Sequence, residues 1–69
     1  MEKAIKKMEE YGISSYAVKR WYSIGNYSYL LGFFVALQSV AIIKCDKEGE
    51  KVFDEATKIC FNKIYNKEE

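Results

Sequence analysis

Apolar residues along this chain fall at helical spacing in three segments and fill a fourth almost completely. Met1, Ala4, Ile5, Met8 and Tyr11 recur every three or four residues, with Lys3, Lys6, Lys7, Glu9 and Glu10 between them. That period predicts an amphipathic first helix. Gly12 ends it, because glycine takes the left-handed backbone conformation at low cost. Ser14 or Ser15 then caps a second helix. Its apolar face is Ala17, Val18, Trp21 and Tyr22, while Lys19 and Arg20 face away. Gly25-Asn26 is the next break, and Asn26 is a competent N-cap for a third helix.

From Trp21 to Ile43 there are 23 consecutive residues without a charge. The third helix lies inside this run and is apolar nearly all round: Tyr27, Tyr29, Leu30, Leu31, Phe33, Phe34, Val35 and Leu37. A helix without a polar face is expected to be buried on every side or to lie in lipid. A membrane span needs about 20 predominantly apolar residues, and Trp21-Tyr22 beside Lys19-Arg20 would suit an interfacial belt. Ser23, Gly25, Asn26, Ser28, Gln38 and Ser39 dilute both ends, however, and the strongly apolar part, Tyr29 to Leu37, is too short to cross. A buried bundle helix is therefore preferred to a span. Gly32 and Ala36 stand four apart on one face, where a second backbone could approach closely, and mark the expected oligomer contact.

Val40-Ala41-Ile42-Ile43 is short and β-branched, and fits either an extended connector or a last helical turn. Asp46 is a good N-cap, with Glu48 and Glu50 where the helix dipole favours negative charge. Val52, Phe53, Ala56, Ile59, Cys60 and Ile64 then form a 3–4 stripe, with Lys51–Glu55 and Asp54–Lys58 as pairs of opposite sign four apart. The competing pattern is a hairpin pairing Ile42–Cys45 with Glu50–Phe53. The stripe continuing to Ile64 favours helix. The expected fold class is thus all-α, a bundle of about four helices in a single domain, 1–69, with a highly apolar third helix.

Length changes this picture. A chain of 69 residues buries only about 60% of the surface its unfolded form exposes, and such scaffolds usually lean on disulfides, a metal or self-association. There are two cysteines and no histidine, which makes a poor zinc site. Cys45 and Cys60 would be about four helical turns apart, too far for a bridge, and no disulfide, metal or cofactor is expected. A homo-oligomer is the remaining supplement.

Net charge is +1, which suggests neither a polyanion binder nor an acidic mimic. The amino terminus is charged and has no apolar leader segment, so cytoplasmic residence with reduced thiols is expected. Ten lysines against one arginine hint at an AT-rich genome. Without histidine or a glycine-rich phosphate loop, and with the carboxylates on faces that look solvated, where their pKa values would not be tuned, catalysis is not expected.

Two resemblances bear on function. Tyr11-Gly12-Ile13-Ser14-Ser15-Tyr16-Ala17-Val18-Lys19-Arg20-Trp21, within residues 4–22, resembles the helix-turn-helix of phage repressor and Cro-type proteins. Gly12 would be the turn glycine, with Ile13, Val18 and Trp21 buried. Ser15, Tyr16, Lys19 and Arg20 would face the major groove. The segment departs from that family at Lys7 and Met8, where a small or apolar residue is expected. The family also normally has a helix before this pair, whereas residue 1 here already opens the first of the two.

Residues 29–56, with Tyr29, Gly32, Ala36-Leu37, Ile42-Ile43, Phe53 and Ala56, are similar to small helical-hairpin proteins of phages and mobile elements in AT-rich Firmicutes. That resemblance implies a genomic setting more than a chemistry. The expected function is a non-catalytic binding protein acting on a host protein, as an inhibitor of a host defence component. Its expected partner site is Tyr16, Lys19, Arg20, Ser23 and Tyr27, the one exposed mixture of aromatic and cationic groups. The alternatives are a DNA-binding regulator and an oligomer that sequesters a small nucleotide-like ligand.

Overall fold

The computed structural model describes residues 1–65, and residues 66–69 of the predicted domain lie outside the described part. Four helices and no strand are present among the described residues: α1 Glu2–Glu10, α2 Tyr16–Ile24, α3 Tyr27–Ile43 and α4 Lys47–Tyr65. The hairpin of α3 and α4 is the body of the fold, with α1 laid on α4 and α2 laid on α3.

The core follows the predicted periods of α1 and α4 except at Ile59, which the stripe places on the buried face and which lies exposed. Leu30, Phe34, Leu37 and Ala41 of α3 meet Phe53, Ala56 and Cys60 of α4, and all seven are buried. Ala4 and Met8 close this core from α1, and Val18 closes it from α2. Phe34 and Phe53 stack with centroids 6.3 Å apart, and Tyr11 meets Phe53 edge-on at 6.0 Å. Trp21 stands edge-on to Tyr29 and to Phe33, at 5.6 and 5.7 Å, and pins α2 to the amino-terminal half of α3.

The open question at residues 40–45 resolves as helix through Ile43 and then a tight corner. The Asp46 N–H donates to the Ala41 carbonyl at 2.9 Å and the Cys45 N–H to the Ile42 carbonyl at 3.0 Å. This is the Schellman pattern, which satisfies the last carbonyls of a helix and puts one residue in the left-handed region. The same pair of bonds recurs at Gly12 and at Gly25. Both glycines have φ near +78°, and Cys45 takes the equivalent place at φ 58°. The hairpin between 42–45 and 50–53 does not form.

One expectation about α3 is corrected. It is not buried on every side. Tyr29, Gly32, Val35, Ala36, Ser39, Ile42 and Ile43 all lie exposed. The reason is a shortage of chain: α4 covers one side, the 9-residue α2 covers part of another, and nothing remains to cover the third. Among the described residues no helix is long and apolar enough to cross a membrane.

Candidate functional site

The face of α2 opposite its buried anchor Val18 holds Tyr16, Lys19, Arg20 and Ser23, all exposed. Their spacing of three, four and seven puts them on one stripe of the helix. Tyr16 is 72% exposed. None of these four side chains makes a hydrogen bond or ion pair among the described residues. The start of α2 is held by serines: Ser14 Oγ accepts the Tyr16 N–H at 3.3 Å, and Ser15 Oγ donates to Glu9 Oε2 at 2.9 Å. Ser15 is buried, so it ties α2 back to α1 and does not share the outward face expected of it.

Tyr27, the fifth predicted partner residue, sits elsewhere in character. It is half-buried, meets Tyr22 edge-on at 6.0 Å, and has the Lys63 ammonium 5.9 Å from its ring centre. Gly25, Asn26, Tyr27, Ser28, Lys63 and Ile64 line an open cleft at this end of the bundle. Asn26 itself is engaged as the N-cap of α3, its side-chain oxygen accepting the Tyr29 N–H at 3.4 Å. Of the aromatics expected to share a buried face with Val18, Trp21 is half-buried and Tyr22 is exposed.

The predicted oligomer positions Gly32 and Ala36 are both exposed on α3. A Cβ added at Gly32 would meet nothing within 4 Å. No contact within the chain therefore requires glycine there.

The arrangement that the sequence hid is a polar clasp between α1 and the start of α4. Asp46 Oδ1 accepts the Gly49 N–H at 3.0 Å, the predicted N-cap bond. Its Oδ2 accepts from the Tyr11 hydroxyl at 2.7 Å and lies 3.3 Å from Lys7 Nζ. Lys7, only 8% exposed, also pairs with Glu10 at 3.1 Å and Glu48 at 3.4 Å. Chief among the causes, the Gly49 N–H lowers the Asp46 carboxyl to about 2, assisted by Tyr11 and Lys7. Burial, with the adjacent carboxylate, pushes the Tyr11 phenol up to about 12. The Lys7 ammonium is held charged, chiefly by Glu10.

One carboxylate in this chain is therefore strongly tuned, contrary to the expectation that all sit on solvated faces. Its two oxygens are already taken up by three groups of the fold. The N-cap was legible. The contacts to Lys7 and Tyr11 were not, since they span 39 and 35 positions of sequence.

Gly49 completes the clasp. It is buried inside the first turn of α4. A Cβ there would run into the Tyr11 hydroxyl and would lie 2.7 Å from Asp46 Oδ2 and 3.0 Å from its Cγ. Both cysteines are free, Cys45 exposed and Cys60 buried. Burial raises the Cys60 thiol's pKa and keeps it protonated. Among the described residues no group of three or more His, Cys, Asp or Glu is placed to hold a metal ion. Comparison with known family profiles, with curated proteins and with solved structures returns no match.

Proposed function

We propose that this is a non-catalytic binding protein acting through protein–protein contacts, with its partner site on the outward face of α2. The observation that supports the reading is the Tyr16, Lys19, Arg20 and Ser23 stripe: one exposed aromatic, two cations and a hydroxyl, none of them used by the fold. Tyrosine and arginine are the usual anchors of such sites. Two adjacent cations favour a partner that presents carboxylates around a pocket for the ring. Tyr27 borders the site as a half-buried flank. The setting we attach to this is the one implied by the hairpin resemblance: a cytoplasmic phage or mobile-element protein that inhibits a host defence component, working as a homo-oligomer through the α3 face around Gly32 and Ala36.

Pull-down from the native host tests the assignment. The wild-type chain should retain the partner, and a Tyr16→Ala, Lys19→Ala, Arg20→Ala variant of unchanged helicity should lose it. Against the identified partner, Tyr16→Ala alone should cost on the order of 2 kcal/mol of binding, and Lys51→Ala, Lys58→Ala or Lys63→Ala should change little. A dominant α4 with a neutral Tyr16 would refute the site.

The regulator reading stays as the second, because Gly12 makes the turn at φ +79°, Val18 is buried and Lys19-Arg20 stand free. Any duplex binding should be weak, should fall steeply with salt and should vanish with Lys19→Ala plus Arg20→Ala. A salt-insensitive, nanomolar, sequence-specific complex would put the regulator first.

A further inference from the structure

The outward face of α3 runs through Ser28, Gly32, Val35, Ser39 and Ile42, at steps of four, three, four and three, flanked by Tyr29, Ala36 and Ile43. That is the period of a helix–helix seam. Val35 is 47% exposed, Ile42 53%, Tyr29 62% and Ile43 80%. Together with the small residues between them they leave roughly 600 Å² of uncharged surface on one chain, at the top of the range of the largest apolar patch on a typical monomer. Two such faces would bury on the order of 1,200 Å², the lower bound of a specific interface.

The chemistry of the face restricts what covers it. Desolvating an unpaired charge is costly, and this face has no group to pair with one. α1, α2 and α4 all present lysines or glutamates outward, and α3 is the uncharged helix of the chain. A second α3 matches it.

Its two halves also differ. The amino-terminal half carries Tyr29, flanked by Trp21 of α2. The carboxy-terminal half carries Ile42 and Ile43, both aliphatic and exposed, with Ile43 the barest large side chain of the face. Running two copies in opposite directions lays the aromatic, α2-flanked half of each over the bare aliphatic half of the other. It also opposes the two helix dipoles and keeps the two Lys44 side chains apart. A parallel pair would leave both aliphatic ends together beside two like charges.

We propose that α3 pairs with α3 of a second copy, antiparallel, about a two-fold axis between Val35 and Ala36. Gly32 then faces the partner's Ser39, Val35 the partner's Ala36, and Tyr29 the partner's Ile42. The waist of small residues lets the backbones approach closely. This specifies the homo-oligomer within the proposed function and rests on that reading.

Sedimentation of the full chain and disulfide trapping test the two levels separately. The mass should double over a micromolar concentration range, and Gly32→Leu should weaken the pair roughly ten- to hundred-fold with unchanged helicity. On a Cys45→Gly background, Tyr29→Cys mixed with Ile42→Cys should cross-link under mild oxidation. Ile42→Cys alone should not, because two such sites would be about 20 Å apart at 1.5 Å per residue. Efficient cross-linking of Ile42→Cys alone, without the mixed product, would overturn the antiparallel arrangement and leave self-association standing. A single-chain mass at every concentration would overturn both. Flotation of a monomer with lipid vesicles would assign the face to a membrane surface and overturn the proposal.

Discussion

Replacing Gly49 and Gly32 by alanine should move stability in opposite senses, although both glycines lie inside helices. At an ordinary helical site Gly→Ala stabilises by about 1 kcal/mol, because glycine loses the most backbone freedom on folding. Gly32 is such a site in the isolated chain, with open space where a Cβ would go. Gly49 is not. Its added Cβ would sit against the Tyr11 hydroxyl and the Asp46 carboxyl, and neither yields freely. The Tyr11 ring is held edge-on by Phe53 and has the Lys44 ammonium 5.2 Å from its centre. The Asp46 carboxyl is held by the N-cap bond it makes to Gly49 itself.

Forcing a methyl group into such a contact costs about 1–3 kcal/mol. Set against the 1 kcal/mol gained in propensity, Gly49→Ala should be destabilising by about 0–2 kcal/mol. The two variants should therefore differ by about 1–3 kcal/mol, roughly 5–20 °C in Tm for a domain of this size. Thermal and urea unfolding followed by circular dichroism, at a concentration low enough to keep the chain monomeric, measures both. A Tyr11→Phe background, which removes the hydroxyl, should lessen the penalty of Gly49→Ala. If Gly49→Ala instead raises Tm as far as Gly32→Ala does, the clasp does not close over Gly49 and the reasoning fails.

Cys45→Gly should stabilise by about 1 kcal/mol, since an L side chain at positive φ costs about that much and glycine does not; urea midpoints at constant m-value check it, and a loss of stability would deny the left-handed corner. Phe53→Ala, which deletes the ring joining α3, α1 and α4, should cost about 3–5 kcal/mol and leave the chain largely unfolded by circular dichroism. Acid should loosen the clasp: Asp46 has a folded-state value lowered from 3.8 to about 2, so its contribution is full above about 4 and is lost as pH falls through about 2. Unfolding midpoints between pH 5 and 2 should fall more for the wild type than for Asp46→Asn, and equal slopes would exclude Asp46 as the source. At the alkaline end Tyr11, raised to about 12, contributes stability that is complete below about 10 and lost as pH rises through 12, and Tyr11→Phe should flatten that limb.

What the sequence made legible was local. Gly12, Gly25 and Asn26 mark chain reversals through their own backbone and capping chemistry. The stripes of α1 and α4 announce their buried faces by period alone. Cys45 could not be read in the same way, because cysteine has no preference for the left-handed region. Only the two-bond corner that follows Ile43 identifies its role. Lys7 was placed among the solvated positions, since a lysine between apolar residues of an amphipathic helix ordinarily is. It becomes buried because α4 begins beside it with Asp46 and Glu48, a pairing decided by how the chain folds back over 39 residues. The same limit applied to α3. Its composition says that it lacks a polar face, but not how many neighbours the rest of so short a chain can supply.

The two exposed surfaces answer to different physical demands, which argues for separate tasks. The α2 stripe is polar and cationic, and leaving it in water costs the monomer little. The α3 face is uncharged and aliphatic at its carboxy-terminal end, and leaving it bare sacrifices burial that a 69-residue chain can poorly spare. Covering α3 with a second copy would restore that burial and leave the Tyr16–Ser23 stripe outward on each subunit. A two-fold pair would then present two partner sites, and binding to a dimeric or repetitive partner would gain from linkage without any new contact. Substitutions at Gly32 should accordingly weaken capture of such a partner while leaving binding to an isolated partner subunit unchanged, and substitutions at Tyr16 should weaken both. A Gly32→Leu chain that binds the isolated subunit more weakly than wild type would show that the two surfaces are not independent.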